Sequence, residues 1–146
     1  MRVACGRGRR RTRGLAAEAS RQPGRGRQRR MAAAAVGKLL GAAKQTVSVA
    51  ESSSGGIISA RLLAVPGASS FFAGGVVCYS SQSKFKLLGV DKTACAPSAT
   101  AHHAIELADA ARAVLGTDWG IGETGVAGEP TLVIHDLTGR VVTQTL

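Results

Sequence analysis

Cysteine, aromatic residues and long apolar runs are all scarce in this chain. Its 146 residues include 3 cysteines, 1 Trp, 1 Tyr and 3 Phe. Cys5, Cys78 and Cys95 are too few for a disulfide framework and too widely spaced for a C-x-x-C metal site. No apolar stretch approaches the ~20 residues that cross a bilayer. We therefore expect one soluble domain with no membrane or metal site, in which Cys78 is a buried reduced thiol.

Acidic residues are scarce in only one part of the chain, although the net charge of the whole is +10. Residues 1–30 contain eleven arginines and one acid, Glu18, whereas residues 31–146 contain eight basic and eight acidic side chains. No aromatic residue lies among the arginines to stack on bases. Because the rest of the chain is neutral, we do not expect it to bind nucleic acid.

Residues 1–30 also have almost no large apolar side chains, so we expect them to form a disordered Arg/Gly-rich leader before a domain at 31–146. Three interpretations of the leader remain open. It could be an organellar transit peptide, although serine is rare in it, or an RNA-binding tail. Alternatively, translation starts at Met31. A cytoplasmic location is the default, and a plastid or mitochondrial one follows from a transit peptide.

From Met31 onward, helical and strand patterns alternate. Helices are predicted over residues 32–44, 57–64, 80–88 and 99–115, strands over 46–50, 75–79 and 119–122, and a terminal hairpin over 131–135 and 140–145. In the first helix the predicted apolar stripe is Val36, Leu39, Leu40 and Ala43. This alternation predicts a layered α/β domain with a partly parallel sheet.

Three segments near predicted strand ends could carry chemistry. Residues 50–56 (Ala-Glu-Ser-Ser-Ser-Gly-Gly) put serines at a helix N-terminus, which favours a phosphate or an oxyanion, although an ordinary serine N-cap is the alternative. Lys84 could be a general base with Tyr79 beside it, or a surface lysine. Residues 123–128 offer the hydroxyl of Thr124 and a possible nest of backbone N–H groups.

Taken together, five segments resemble a known family, the CinA C-terminal domain of competence/damage-inducible proteins. They are residues 50–56, 65–69, 79–84, 88–90 and 124–128, which occur in the family's order and near its spacing. The resemblance covers residues 46–128 and implies a three-layer α/β/α fold. The family's enzymatic members are nicotinamide-nucleotide amidases. The implied reaction therefore converts nicotinamide mononucleotide to nicotinate mononucleotide and ammonia in pyridine-nucleotide salvage, with no metal or cofactor.

The resemblance also implies roles for individual residues. Ser52 would be the nucleophile and Lys84 its base, with Tyr79 and Thr124 completing the polar site. Substrate binding, through the backbone for the glycines, would fall to Ser54 (where the family more often has threonine), Gly55, Gly56, Gly125 and Gly128. The three histidines are expected to be solvent-facing or in the core: His102, His103 and His135.

The match with the family ends after Gly128. The family continues with a second glycine-rich half of the phosphate loop and a final helix, whereas here Glu129-Pro130 leads directly into the predicted hairpin. We therefore expect a domain that is incomplete at its C-terminus and under pressure to self-associate into a homo-oligomer. The alternative to an active amidase is an inactive family member that keeps the fold and at most binds a nucleotide.

Overall fold

The computed structural model describes residues 23–91, 100–126, 129–136 and 141–145, with side chains described within 31–91 and 100–125. Expectations for residues 1–22, Cys95 and Gly128 lie outside these ranges. The described elements are α1 (Pro23–Ala43), β1 (Val47–Glu51), α2 (Ile57–Leu63), β2 (Phe72–Val77), α3 (Ser81–Leu88), α4 (Ala101–Leu115), β3 (Trp119–Val126), β4 (Glu129–Asp136) and β5 (Val141–Thr145). A 3-10 turn, Ala68–Ser70, precedes β2.

The strands form a five-stranded sheet in the order β2-β1-β3-β4-β5. β1 runs parallel to its neighbours β2 and β3, whereas β4 is antiparallel to both β3 and β5. The predicted partly parallel sheet and terminal hairpin are therefore confirmed. Because parallel strands end at one edge of a sheet, the loops that follow β1 and β2 start side by side.

Helices cover both faces of this sheet, which confirms the predicted three-layer α/β/α architecture. On one face, α1 and α2 bury a cluster of Ala33, Val47, Val49, Leu62, Ala68, Phe71 and Ile121. On the other face, α3 and α4 bury a second cluster of Ala50, Cys78, Leu88, Val90, Leu107 and Ala111. Cys78 is a fully buried thiol outside any disulfide, as predicted.

The long helix α4 lies unusually close to β3. A Cβ on Gly122 would lie 1.9 Å from the carbonyl oxygen of Ala104, and one on Gly120 would lie 2.2 Å from that of Ala108. Both glycines therefore allow a helix backbone to pack directly on the strand, because any larger side chain would collide with it.

Helix α1 differs from its prediction in both length and face. It begins at Pro23, so residues 23–30 are helical rather than part of a disordered leader. Among the side chains described in α1, Ala33 and Gly37 are buried. Of the predicted stripe, Leu40 is partly buried against the core, whereas Leu39 is 71% exposed. The ring of Phe71 lies 2.8 Å from where a Gly37 Cβ would be, so the small residues face the core because they let the helix approach that ring.

Strand β3 is also longer than predicted. It continues to Val126, so residues 123–126, predicted as a glycine-rich loop, belong to a paired strand in which Gly125 lies opposite Pro130 of β4. Pairing with an antiparallel neighbour outweighs the weak strand propensity of glycine here.

Candidate active site

The ends of three strands bring the predicted site segments together. The N–H of Cys78, just after β2, donates to the carbonyl of Glu51 at 2.8 Å. The N–H of Ser52, just after β1, donates to the Glu123 carboxylate of β3 at 2.9 Å. Residues 50–56, 78–84 and 123–125 therefore lie at one edge of the sheet.

The Glu51 carboxylate fills the N-terminus of α2. Its Oε2 accepts the N–H groups of Gly56 at 3.1 Å and Ile58 at 2.9 Å, and its Oε1 accepts that of Ser59 at 2.8 Å. The hydroxyls of Ser59 and Ser54 donate to the same carboxylate at 2.6 Å and 2.7 Å. A carboxylate at this position satisfies amides that a short helix otherwise leaves without partners.

These bonds determine the charge state of Glu51. Burial acts to raise its pKa, but the hydrogen bonds from the Ser59 hydroxyl, the N–H groups of Ile58 and Ser59, and the Ser54 hydroxyl outweigh it, so the pKa lies below the ordinary value. Donors that converge on a carboxylate stabilise its ionised form. Glu51 is therefore a permanent negative charge beneath the serine-rich loop at neutral pH.

A second buried carboxylate, Glu123, holds the same loop from β3. Its Oε2 accepts the N–H groups of Ser52 and Ser54, each at 2.9 Å, and the Ser54 hydroxyl at 2.7 Å. The Ser53 hydroxyl donates to its other oxygen. The Ser54 hydroxyl lies between Glu51 and Glu123 and shares its single proton between them. Both acids fix the backbone that carries Ser52.

These two acids revise the role predicted for the loop. The amides of Ser52, Ser54 and Gly56 donate to Glu51 or Glu123, so they are engaged within the protein rather than open to a substrate anion. The alternative of an ordinary serine N-cap is also wrong, because the N-cap is Gly56 in the left-handed conformation. The signal that sequence reasoning missed was an acidic residue inside two of the three predicted segments, Glu51 in residues 50–56 and Glu123 in residues 123–128.

Ser52 itself is 6% exposed, and its hydroxyl has no hydrogen-bond partner among the residues whose side chains are described. Thr124 is fully buried in β3. Ala50 pairs with Gly122 across β1 and β3, so Ser52 and Thr124 each lie two residues beyond that pair. Ser52, just after β1, and Thr124, within β3, therefore lie at the same height along two neighbouring parallel strands.

Lys84 is buried, which excludes the surface lysine that the sequence left as an alternative. It lies in the first turn of α3, which Ser80 caps by accepting the N–H of Ser83 at 3.1 Å. Its side chain is only 3% exposed, and its Nζ lies 3.0 Å from Nε2 of His103. Within the described residues, no hydrogen bond joins Lys84 to Ser52.

The contact between Lys84 and His103 is the feature that sequence reasoning missed. His103 is fully buried on α4, where Thr100 caps the helix by accepting the His103 N–H at 3.2 Å. Its Nδ1 lies 3.0 Å from Oε2 of Glu106. His102 is exposed, so the expectation that the histidines are solvent-facing or in the core is confirmed for both. Nothing in the sequence marks His103 as the partner of a lysine nineteen residues away.

The remaining predicted site residues are an exposed tyrosine, a glycine in the turn before α2 and a glycine in β3. Tyr79 is 73% exposed, and its hydroxyl bonds to no residue whose side chain is described. Gly55, like Gly56, has a positive φ in the turn before α2, and Gly125 lies within β3. The catalytic and binding roles assigned to these residues stay predictions.

The described residues contain neither a candidate metal site nor a helix that could span a membrane. In that part of the chain, no group of three or more His, Cys, Asp or Glu side chains could hold a metal ion. Within the same ranges, every helix is too short or too polar to cross a bilayer.

The fold and these contacts define a three-layer α/β domain with a polar site at the carboxyl edge of its parallel strands. The chain belongs to the CinA C-terminal domain family, whose profile matches residues 29–143. This confirms the resemblance found in the sequence, but the match is longer than residues 46–128 at both ends. It begins inside α1 and continues to residue 143, so the expectation that it ends after Gly128 was wrong.

Curated relatives and solved structures agree with this assignment. A CinA-like protein of Synechocystis is 47% identical over 100 residues, covering 66% of this chain and 24% of the relative. Another, of Synechococcus, is 43% identical over 115 residues, covering 75% of this chain and 26% of the relative. The chain thus spans about a quarter of the length of these relatives.

The solved structures support the fold alone, because their sequence identities are low. The competence/damage-inducible protein CihA of Agrobacterium tumefaciens has a TM-score of 0.75 at 22% identity, with 80% of this chain and 79% of that chain covered. A CinA superfamily protein of Escherichia coli has a TM-score of 0.71 at 24% identity, with 78% and 73% covered.

Proposed function

We propose that the chain is an amidohydrolase that removes the amide nitrogen of nicotinamide mononucleotide through Ser52 and Lys84. The observation that carries this proposal is that two buried residues, Lys84 and Ser52, follow neighbouring strands. Lys84 lies on α3, the helix after β2, and Ser52 directly follows β1. A serine needs a nearby base to become a nucleophile, and an amine can serve when it is neutral.

In the proposed reaction, Ser52 Oγ attacks the carboxamide carbon while its proton moves to Lys84 Nζ. Lys84 then gives that proton to the leaving ammonia, so the C–N bond breaks and an ester with Ser52 remains. Water, deprotonated in turn by Lys84, hydrolyses the ester to the carboxylate and restores the serine. Thr124 and Tyr79 would border the reacting group, and Gly55, Gly125 and Gly128 would contact the phosphate or the oxyanion.

One observation favours a second candidate, a non-catalytic family member that keeps the fold and at most binds a nucleotide. Glu51 and Glu123 occupy the amides of the loop that an oxyanion or phosphate would otherwise use. For an active enzyme, other amides must supply the oxyanion contacts, which are usually worth about 10²–10³ in kcat.

Ammonia release from nicotinamide mononucleotide by the purified full chain separates the two candidates. For an active amidase we expect turnover that Ser52→Ala and Lys84→Met each lower by about 10²-fold or more, because each removes a group that handles the proton. Lys86→Met, at an exposed position on the same helix, is the matched control and should keep wild-type turnover.

A folded wild-type chain that releases no ammonia would contradict the amidase. If its melting temperature nevertheless rises with added nicotinamide mononucleotide, the binding candidate is supported, since a ligand that binds only the folded state stabilises it. Equal turnover in wild type and Ser52→Ala would reject Ser52 as the nucleophile.

A further inference from the structure

The structure contains a chain of three titratable side chains that leads from the buried amine to the surface. Lys84 Nζ lies 3.0 Å from His103 Nε2, and His103 Nδ1 lies 3.0 Å from Glu106 Oε2. The side chains of Lys84 and His103 are both buried, whereas that of Glu106 is 26% exposed. Of these three side chains, that of Glu106 is the most exposed, so it connects the other two to the surface.

The chemistry of the three groups fixes the direction of the bonds. An ionised carboxylate only accepts, so Nδ1 of His103 carries the proton that it donates to Glu106. In a neutral ring, Nε2 is then an acceptor, and it takes an N–H of Lys84. This tautomer holds one N–H of the amine on the ring and leaves the other positions of Nζ free to face a reacting hydroxyl.

Glu106, the outer member of the three, lies among other charged side chains at the surface, where a proton can pass to water. Glu106, Asp91 and Asp109 line a surface cleft of about 300 Å³. His102 approaches the second carboxylate oxygen of Glu106 at 3.3 Å. Arg112 pairs with Asp109 at 3.0 Å. Three carboxylates thus border the outer end of the relay, where they can accept a proton or pass it to water.

We propose that His103 is a positioning residue and proton relay for Lys84, an inference that rests on the proposed function. When Lys84 is protonated, an Nζ–H bond breaks and an Nε2–H bond forms, so the positive charge moves to the ring beside Glu106. The Nδ1 proton then passes to the Glu106 carboxylate and on to water in the cleft. Lys84 becomes neutral and one proton is delivered to solvent in total. His103 is left neutral with its proton on Nε2, so the ring must exchange back to the Nδ1–H tautomer before it relays again.

A histidine with a purely structural role could make the same two contacts. Its two ring nitrogens would require partners, but neither the pH dependence of turnover nor the state of Lys84 would depend on it. The two roles therefore differ in the pH dependence of turnover, whereas a measurement on the ring tests the contact with Lys84 without any turnover.

The first experiment observes the ring nitrogens of His103 by ¹⁵N NMR in the folded wild-type chain. We expect a protonated Nδ1 and an unprotonated Nε2 that accepts a hydrogen bond. Lys84→Met should shift the Nε2 signal, whereas Lys86→Met should not. An Nε2–H tautomer, or a spectrum that ignores Lys84→Met, would overturn the relay even if the enzyme is active.

The second experiment measures kcat for ammonia release against pH in His103→Gln, which keeps a polar group of similar reach but cannot carry a proton. We expect kcat to fall about 10-fold or more and its pH profile to change, with KM nearly constant. His102→Gln is the control, because it removes the neighbouring contact with Glu106 but touches no lysine in the described structure. A His103→Gln profile with the wild-type shape would reject the relay.

The two experiments also separate this inference from the proposed function. If the wild-type chain releases no ammonia but the NMR result is as expected, the amidase fails and the coupling of Lys84 to His103 stands. If turnover is present and His103 shows no coupling to Lys84, the amidase stands and the relay is wrong.

Discussion

Two buried carboxylates, Glu51 and Glu123, determine the conformation of the loop that carries Ser52. Each accepts backbone N–H groups of the loop or of the helix that follows it. Buried acids are costly unless donors surround them, and here the donors are amides that would otherwise lack partners. The serine-rich sequence is thus explained by hydroxyls that complete the coordination of two acids, with Ser52 as the exception.

At this residue scale, we predict that Glu51→Gln lowers the free energy of unfolding at pH 7 by about 1–3 kcal/mol, measured in urea. The substituted amide has a single acceptor oxygen, so the N–H groups of Ile58 and Ser59 cannot both keep their partners. Asp109→Asn, at a side chain that is 45% exposed, is the control and should change stability by less than about 0.5 kcal/mol.

The same variant tests the pH dependence of stability. Because the pKa of folded Glu51 lies below the ordinary value of 4.5, its stabilising effect is complete above that pH and is lost as the pH falls through the folded value. Wild type should therefore lose stability below about pH 4.5 more steeply than Glu51→Gln. Parallel curves for the two proteins would show that Glu51 carries no such effect.

At the scale of elements, the close packing of α4 on β3 positions His103 over the sheet. The helix lies so close that Gly122 has no room for a Cβ. The buried face of α4 contains Ala104, Ala108 and Ala111 as well as His103. The close packing of α4 on the sheet therefore also buries the His103 ring next to α3. The relay is therefore a consequence of how two elements pack.

We predict that Gly122→Ala destabilises the domain by at least about 1–3 kcal/mol, because the added methyl would displace α4. Gly41→Ala is the control: its Cβ would meet no atom within 4 Å, and it lies on the exposed side of α1. Replacing a helical glycine by alanine should stabilise by about 0.5–1 kcal/mol. Chemical unfolding of both variants checks the pair, and a Gly122→Ala chain as stable as wild type would contradict the close packing.

At the scale of the whole molecule, charge is unevenly distributed along the chain. Residues 1–22 contain seven arginines and one acid, whereas residues 31–146 are balanced. Four further arginines lie in residues 23–30 of α1, so any attraction to nucleic acid should come from residues 1–30.

We predict that a chain lacking residues 1–30, which keeps the buried Ala33 and Gly37 of α1, keeps its fold and loses most of any affinity for nucleic acid, measured by fluorescence anisotropy at fixed salt. Circular dichroism of both chains is the control for folding. Affinity that survives the deletion would show that the domain carries a basic surface that its overall charge balance hides.

Much of the architecture could be predicted from local pattern. The apolar periodicity of α4 and the alternation of strands with helices depend on neighbours in sequence, so the three layers and the terminal hairpin were predicted correctly. The face of α1 and the length of β3 were not, because packing against Phe71 and pairing with β4 decided them.

The sequence by itself determined the elements, the family and the places where Ser52 and Lys84 stand, since motif order and spacing are properties of the chain. Only the tertiary structure decided that Glu51 and Glu123 occupy the loop amides and that Lys84 meets His103. These contacts join residues up to 71 positions apart. Hydrogen bonds between such distant groups depend on the register of strands and the seating of helices, which no local pattern contains.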